Sequence, residues 1–274
     1  NKVMNINQRT LLVFDLDGTL LSSEKTIMPK TKAILHELRE RGHVIALASG
    51  RPPRAVIPYY EELGLDGPII SYNGACITDP KDNEFPTYHY FFKREWILSF
   101  LGQIKKDEII NLFAESGTTL YLGHNSDQFD NMFHKEGMLV INGDYEKILN
   151  EDVYAFVFQM KNDEALKKLK EINLPDKTLF LRHWYDCDGS AEFGSTEVSK
   201  AAGIKRLEEI YKIPHGQTIA FGDAENDVEM LSYGASPFAM KNACSKLKYM
   251  VKNITEEDVD HEGIYLTLKR LYSL

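Results

Sequence analysis

The 274 residues contain only three cysteines, Cys76, Cys187 and Cys244, scattered along the chain. Their odd number and wide spacing exclude a disulfide framework and any zinc-type ligand pattern, and point to free thiols in a reducing, cytoplasmic setting. No apolar stretch approaches the roughly 20 residues that a membrane-spanning helix needs. The opening residues, Asn1 to Arg9, are polar and lack the apolar core of a secretory signal. Positive charge is scarce: 32 Lys and Arg stand against 41 Asp and Glu, for a net charge of −9. No basic footprint for nucleic acid is present. An acidic chain repels anionic substrates at long range, so a bound phosphate would have to meet local cations or a metal. Repeats and low-complexity tracts are also missing. The length suffices for one large domain or two moderate ones.

Against these absences, one stretch stands out. Leu11-Leu12-Val13-Phe14 is an apolar run that ends abruptly in Asp15-Leu16-Asp17-Gly18-Thr19-Leu20. The run predicts a buried parallel strand, with the two aspartates at its carboxyl end, where open α/β sheets place their chemistry. Two carboxylates about 4 Å apart repel by roughly 4 kcal/mol at an effective dielectric of 20. A cation, a proton or a chemical task must offset that repulsion.

The first third alternates strands and helices. Pro29 to Arg41 predicts a helix with Ile34, Leu35 and Leu38 on one face and Gly42 as its stop. His43 to Ala48 and Pro68 to Tyr72 are further apolar strands, ending in Ser49-Gly50-Arg51 and Asn73-Gly74. Strands separated by helices imply a parallel sheet whose strand-end loops gather on one edge. Thr78 to Glu84 is polar and turn-rich and reads as a linker. An aromatic-rich insert follows. Helices are expected near Arg94 to Lys105 and Asp163 to Ile172, and strands near Thr118 to Leu122, Val153 to Met160 and Thr178 to Trp184. The alternation returns with a helix over Ser199 to Tyr211 and a strand over Gln217 to Phe221 that ends in Gly222-Asp223-Ala224-Glu225-Asn226-Asp227. Ala235 to Met240 predicts a last strand and Glu262 to Leu271 a closing helix. The fold class is therefore α/β, a Rossmann-like doubly wound parallel core with an inserted α+β cap. The core is expected over residues 1–84 and 191–274, and the cap over 85–190.

The strand-end residues suggest roles. Asp15, the first polar residue off its strand, is placed to attack phosphorus, and an aspartyl-phosphate splits one hard displacement into two easier ones. Asp17 suits a general acid for the leaving oxygen and then a general base for water. Asp223 would bring a third carboxylate to an anionic phosphate, which demands a divalent cation. Oxygen-only ligands favour Mg²⁺. Ser49 and Gly50 offer a hydroxyl and backbone N–H groups to a phosphate oxygen. Lys200, near a helix start, supplies a point charge. Arg51 and Asn73, on neighbouring strand ends, are candidates for substrate or cap contact. In the insert, Arg182-His183-Trp184-Tyr185 reads either as a sugar-binding run or as an ordinary strand. His124 and Asn125 are weaker candidates of the same kind, and the Tyr88 to Trp96 cluster reads as cap core.

The order Asp15/Asp17, Ser49, Lys200, Asp223/Asn226/Asp227 resembles that of the haloacid dehalogenase superfamily of phosphotransferases. Ala48-Ser49-Gly50-Arg51, Ser71-Tyr72-Asn73-Gly74-Ala75 and Ala239-Met240-Lys241-Asn242-Ala243 resemble its Cof-type branch, whose class IIB cap is α/β. The resemblance implies that Asp15, Asp223 and the Leu16 carbonyl touch the metal. It also draws Asp17 and Asp227 into the metal cluster, with Asp227 and Asn226 ordering Asp223 and metal-bound water. Two residues depart from the branch: Ala201 follows the lysine where glycine is usual, and Lys241 stands where glycine is usual, adding a cation at the site edge.

The function this implies is a Mg²⁺-dependent phosphomonoester hydrolase for a small phosphorylated metabolite, best a sugar phosphate. A phosphohexomutase is the alternative enzyme, although the insert lacks a dense Arg cluster. A phospho-Asp signalling or binding protein is the non-enzymatic alternative. The insert is expected to gate the site through hinges at Thr78–Glu84 and Asp188–Ser195. Both a monomer and a homodimer fit the sequence.

Overall fold

The computed structural model describes residues 3–123, 133–184 and 187–274. Along the chain come β1 (Leu11–Phe14), α1 (Pro29–Glu40), β2 (Val44–Ala48), α2 (Pro53–Glu62), β3 (Ile69–Ser71), β4 (Cys76–Thr78) and β5 (Tyr88–His89). The insert contributes α3 (Arg94–Gly102), β6 (Ile109–Glu115), β7 (Thr119–Gly123), β8 (Leu139–Asn142), α4 (Tyr145–Ile148), β9 (Ala155–Met160), α5 (Asp163–Lys167), β10 (Leu179–His183) and β11 (Ser190–Ser195). Then follow α6 (Lys200–Tyr211), β12 (Thr218–Gly222), α7 (Val228–Tyr233), β13 (Ser236–Ala239), α8 (Ser245–Met250) and α9 (Gly263–Leu271). The chain divides into two compact units. One runs up to Tyr88 and resumes over Ser199–Leu274; the other is His89–Val198.

The first unit carries a seven-stranded sheet in the order β13-β12-β1-β2-β3-β4-β5. Pairing is parallel from β13 through β3 and antiparallel between β3 and β4. From β1 the chain winds one way to β2 and β3, and later returns on the other side as β12 and β13. The switch point therefore lies between β1 and β12, the crevice where such sheets bind ligands. All four residues of β1 are fully buried, as an apolar strand covered on both faces must be. Register stacks Phe14, Phe221 and Phe238 across three adjacent strands, with ring centroids 5.0 and 5.1 Å apart. α1 begins on Pro29, buries Thr31, Ile34, Leu35 and Leu38, and closes before Gly42, whose φ of +93° a side chain would resist.

The second unit has a six-stranded sheet in the order β10-β11-β9-β6-β7-β8. It is antiparallel except for the β7–β8 pair, which is parallel. Phe100, Phe156, Phe158 and Phe193 fill its core with edge-to-face and tilted contacts at 4.9–6.1 Å. Phe92 belongs to this core, with Tyr90 and Trp96 packed against it, whereas Tyr88 packs on the core of the first unit.

Several expectations need correction. Ser190–Ser195 is a strand paired on both sides, with β10 and with β9. The chain therefore returns to the first unit at Ser199 rather than at 191, and Asp188–Ser195 is no hinge. The predicted helix over Asp163 to Ile172 is α5 followed by a tighter 3₁₀ turn over Lys168–Glu171. Strand β6, which pairs with β7 and β9 inside the second sheet, was not anticipated. Within the Arg182 run, Arg182 and His183 are strand residues paired with Glu192 and Ala191, and Arg182 lies 3.4 Å from the Glu192 carboxylate. Tyr185, His124 and Asn125 fall outside the described residues.

Candidate active site

Because the strands of the first sheet run parallel, the residues following β1, β2, β3 and β12 share one edge. Asp15 leaves β1 and Asp223 leaves β12, on either side of the switch point. Lys200 is the first residue of α6, whose N-terminus is capped by the Ser199 hydroxyl accepting from the Ala202 amide at 3.0 Å. The Asn73-Gly74 loop supports this helix start: a Cβ on Gly74, at φ +105°, would lie 2.4 Å from the Ser199 carbonyl oxygen. Only glycine lets the two backbones approach so closely.

Lys200 is fully buried and donates to Asp15 Oδ1 at 3.0 Å and to Asp227 Oδ1 at 2.7 Å. Burial and its place in the first turn of a helix both work against the ammonium. The two carboxylates outweigh these, and the lysine is held charged above its ordinary range. Asp227 Oδ2 accepts the amides of Asp223 and Ala224 at 3.0 and 3.2 Å, closing the loop after β12. Asp15, Asp223 and Asp227 can each offer a carboxylate oxygen within 4.8 Å of one another. Burial, reinforced by the charge of Asp227, pushes the Asp15 carboxyl well above the usual range and Asp223 up to about 6. Thr19 donates to Asp223 Oδ1 at 3.0 Å.

Fully ionised, this cluster would set three carboxylates against one ammonium, an excess of two negative charges that the raised Asp15 and Asp223 carboxyls show burial resisting. A divalent cation would neutralise them, and the donor set, all carboxylate oxygen, suits a hard ion. Within the set, Asp227 has both oxygens engaged by Lys200 and by amides, so Asp15 and Asp223 are the ones free to ligate. Leu16 leaves the ligand set. Its carbonyl accepts the amides of Thr19, Leu20 and Leu21 at 3.1, 3.0 and 2.8 Å, because the chain turns tightly around it directly after β1.

Asp17 stands apart from the metal cluster. Arg51 grips it with a fork, Nε to Oδ2 at 2.8 Å and Nη2 to Oδ1 at 2.7 Å, and Lys25 donates to Oδ1 at 2.8 Å. Burial alone would raise this carboxyl, but the hydrogen bonds and charges of Arg51 and Lys25 prevail and hold it at about 2. Arg51, a candidate for substrate or cap contact, has its guanidinium bonded to Asp17 in this structure.

Ser49 is buried, its Oγ accepting from the Arg51 amide at 3.0 Å, which leaves the hydroxyl hydrogen free to donate. Tyr72 and Asn73 both adopt left-handed backbone, at φ 49° and 55°. Left-handed backbone is costly for a bulky aromatic, so the turn is held by its surroundings. The strained turn carries the Asn73 amide over Gly50, where a Cβ would meet it at 3.1 Å, and to within 3.5 Å of Asn226 Nδ2. Gly50, Asn73 and Asn226 therefore converge. Lys241 faces Glu257 at 3.8 Å, so its charge is shared with that carboxylate.

Sequence reasoning gave no role to Thr19, Lys25, Gly74 or Asn242. Asn242 donates to the Gly18 carbonyl at 2.8 Å and accepts from the Val259 amide at 2.9 Å, tying the β1 turn to the C-terminal segment. Thr19 had a signal in its place directly after the Asp-Gly turn. For Lys25 and Asn242 only tertiary contact reveals the part they play.

A doubly wound parallel sheet with a buried lysine and three clustered carboxylates at its switch point fits a hydrolase of the phosphotransferase kind. The family model described as haloacid dehalogenase-like hydrolase matches residues 12–268, and the chain belongs to that family. Among curated relatives, the 5-amino-6-(5-phospho-D-ribitylamino)uracil phosphatase YitU of Bacillus subtilis is 28% identical over 267 residues, covering 96% of this chain and 98% of its own. The putative phosphatase YkrA of the same organism is 31% identical over 267 residues, covering 95% and 97%. Among solved structures, the subclass IIB sugar phosphatase BT4131 superposes with a TM-score of 0.78 at 24% identity, covering 95% of this chain and 98% of its own, a likeness of fold.

Proposed function

We propose that the protein is a phosphomonoester hydrolase that works through a phosphorylated Asp15 and acts on a small phosphorylated metabolite. The observation that carries this reading is the placement of Asp15 against Lys200 and Asp223 at the switch point, a cluster that would carry two excess negative charges when fully ionised. Bound Mg²⁺, held by Asp15 and Asp223, would supply the missing positive charge and draw the phosphate dianion in.

Asp15 attacks phosphorus through a carboxylate oxygen, and the bond from phosphorus to the ester oxygen breaks. Asp17, ionised while Arg51 and Lys25 grip it, acts once it has left that grip and taken up a proton, which it delivers to the leaving oxygen. In the second half Asp17, now a carboxylate, takes a proton from water. The water oxygen attacks phosphorus, the bond to Asp15 breaks, and inorganic phosphate leaves with Asp15 restored. Lys200 favours the ionised form of Asp15 against the burial that raises it, and meets charge developing on the phosphoryl oxygens. Asp227 holds Lys200 and the Asp223 loop in place. The Ser49 hydroxyl and the Gly50 and Asn73 region line the phosphate side, and Asn226 lies beside them.

A sugar or sugar-alcohol phosphate is the favoured substrate class. The support is a relative named for a phosphoribityl compound and a structural neighbour named a sugar phosphatase. Three free cysteines suit a reducing cytoplasm. The test is phosphate release from a panel of esters (sugar phosphates, nucleotides, flavin mononucleotide, pyridoxal phosphate) with and without Mg²⁺. Metal-dependent release that Asp15→Asn abolishes is the expected result. Release near the native rate from folded Asp15→Asn removes Asp15 as nucleophile.

A further inference from the structure

Lys25 has no part in the reaction as derived above, yet its position is built with care. It lies in a tight turn in which the Ser22 amide donates to the Thr26 carbonyl at 2.8 Å and the Lys25 amide to the Ser22 carbonyl at 2.9 Å. The Ser22 and Thr26 hydroxyls meet at 2.8 Å, and Asp260 anchors the turn through the Ser23 amide at 2.8 Å. Lys25 itself takes φ +62°, backbone that a side-chain-bearing residue adopts at a cost. The turn presents its ammonium to Asp17.

Both oxygens of Asp17 are engaged, Oδ2 by Arg51 Nε and Oδ1 by Arg51 Nη2 together with Lys25 Nζ. Oδ1 thus accepts two hydrogen bonds and Oδ2 one, and three cationic N–H groups hold the carboxylate toward Arg51 and Lys25, so a leaving group or a water must compete with them for it. Arg51 is the fixed half of the grip. Its side chain is 17% exposed, its carbonyl accepts the Tyr72 amide at 3.1 Å, and its guanidinium lies over the Tyr59 ring. Lys25, with its side chain 56% exposed, is the half that can let go.

We propose that Lys25 is a positioning residue. Together with Arg51 it latches Asp17 in a resting place, and the anionic ester loosens that hold by drawing the exposed Lys25 ammonium to itself. The physical reason for a latch is crowding. Before the site is loaded, a fourth carboxylate swinging toward Asp15, Asp223 and Asp227 would add to an excess of negative charge. Once cation and ester are in place, that penalty is reduced and the latch can exchange one anion for another. The inference rests on the proposed reaction, in which Asp17 serves the leaving oxygen.

The experiment compares Lys25→Met and Lys25→Arg with the native enzyme on two esters at saturating Mg²⁺. One is p-nitrophenyl phosphate, whose leaving group departs without a proton, and the other is a sugar phosphate, whose alkoxide needs one. A weakened latch frees Asp17 for the ester that depends on it. The ratio of kcat on the sugar phosphate to kcat on p-nitrophenyl phosphate is expected to rise about two- to fivefold in Lys25→Met, the range an exposed ion pair commands, and to return toward native in Lys25→Arg. An unchanged or lowered ratio overturns the latch. A rise in KM on both esters with the ratio unmoved assigns Lys25 to substrate binding and likewise overturns it. Melting temperature reports any general loss of fold. Failure of the native enzyme to hydrolyse either ester sinks the underlying reaction instead, so the two failures are told apart.

Discussion

Gly18 leaves room for Asp223: a Cβ at position 18 would fall 2.0 Å from Asp223 Oδ2, and φ at Gly18 is +77°. The turn after β1 and the loop after β12 thus meet over a missing side chain, and Thr19 hydrogen-bonds the same carboxylate from the next position. Gly18→Ala must displace Asp223 and strain the turn. The expected outcome is a loss of Mg²⁺-dependent turnover on the order of 100-fold, as for a misplacement of about 1 Å, with about 1–3 kcal/mol of destabilisation. Steady-state kinetics and urea unfolding check the two parts separately.

Lys200 is the one cation among the described residues that contacts Asp15 and Asp227. Lys200→Met leaves two buried carboxylates without their ammonium. Metal-free protein should lose about 3–5 kcal/mol in urea unfolding, the cost of breaking a buried pair on one side. kcat should fall about 10²–10³-fold, as when one preorganised donor is removed from a developing charge. A variant as stable as the native protein in EDTA would show that the carboxylates neutralise themselves by protonation.

The raised Asp223 carboxyl gives metal binding a pH signature. Its folded value, about 6, lies above the ordinary 3.8, so the folded metal-free state binds the extra proton. This contribution to stability is present at low pH and is lost as pH rises through about 6. A bound cation reverses that loss. The rise in melting temperature on adding Mg²⁺ should therefore be larger at pH 8 than at pH 5.5, and Asp223→Asn should show almost none. Differential scanning fluorimetry at the two pH values, with NaCl matched for ionic strength, decides it.

His43 supplies a second pH effect of opposite sign. Its Nδ1 accepts the Thr10 amide at 3.1 Å, so Nε2 carries the hydrogen and donates to the Ile6 carbonyl at 3.0 Å. Burial holds the ring below its ordinary 6.5. The unfolded chain then takes the proton first, and stability falls as pH drops below 6.5 and through the folded value. With Mg²⁺ present throughout, the native melting temperature should fall between pH 7.5 and 5.5 by about 2 °C more than that of His43→Asn. Equal falls would remove His43 as a source of acid sensitivity.

Much of the first sheet was legible because its signals are local. The Leu11–Phe14 run, the paired aspartates and the Gly222-Asp223 turn each announce a buried strand and a polar strand end within a few residues. The strands over Val44–Ala48 and Ile69–Ser71 were legible for the same reason. The second sheet was less so. Ile109–Glu115 and Ser190–Ser195 were overlooked because neither carries clean alternation. Ser-Ala-Glu-Phe-Gly-Ser is mostly small and polar, and its burial comes from the neighbours it pairs with on both sides.

The site divides along the same line. Residue type and order single out Asp15, Asp17, Ser49, Lys200, Asp223 and Asp227 as candidates, because a strand-end carboxylate or a lysine opening a helix can be recognised from its immediate surroundings. Which of them touch was decided by the tertiary structure alone. Lys200 reaches Asp15 across 185 residues of chain, and Asn242 reaches Gly18 across 224. The Leu16 carbonyl is consumed by its own turn, and the Asp17 carboxylate is claimed by Arg51 and Lys25. The physical reason is that hydrogen-bonding capacity is finite. A sequence shows which groups are present, whereas only the folded backbone shows which of their oxygens and protons are already engaged.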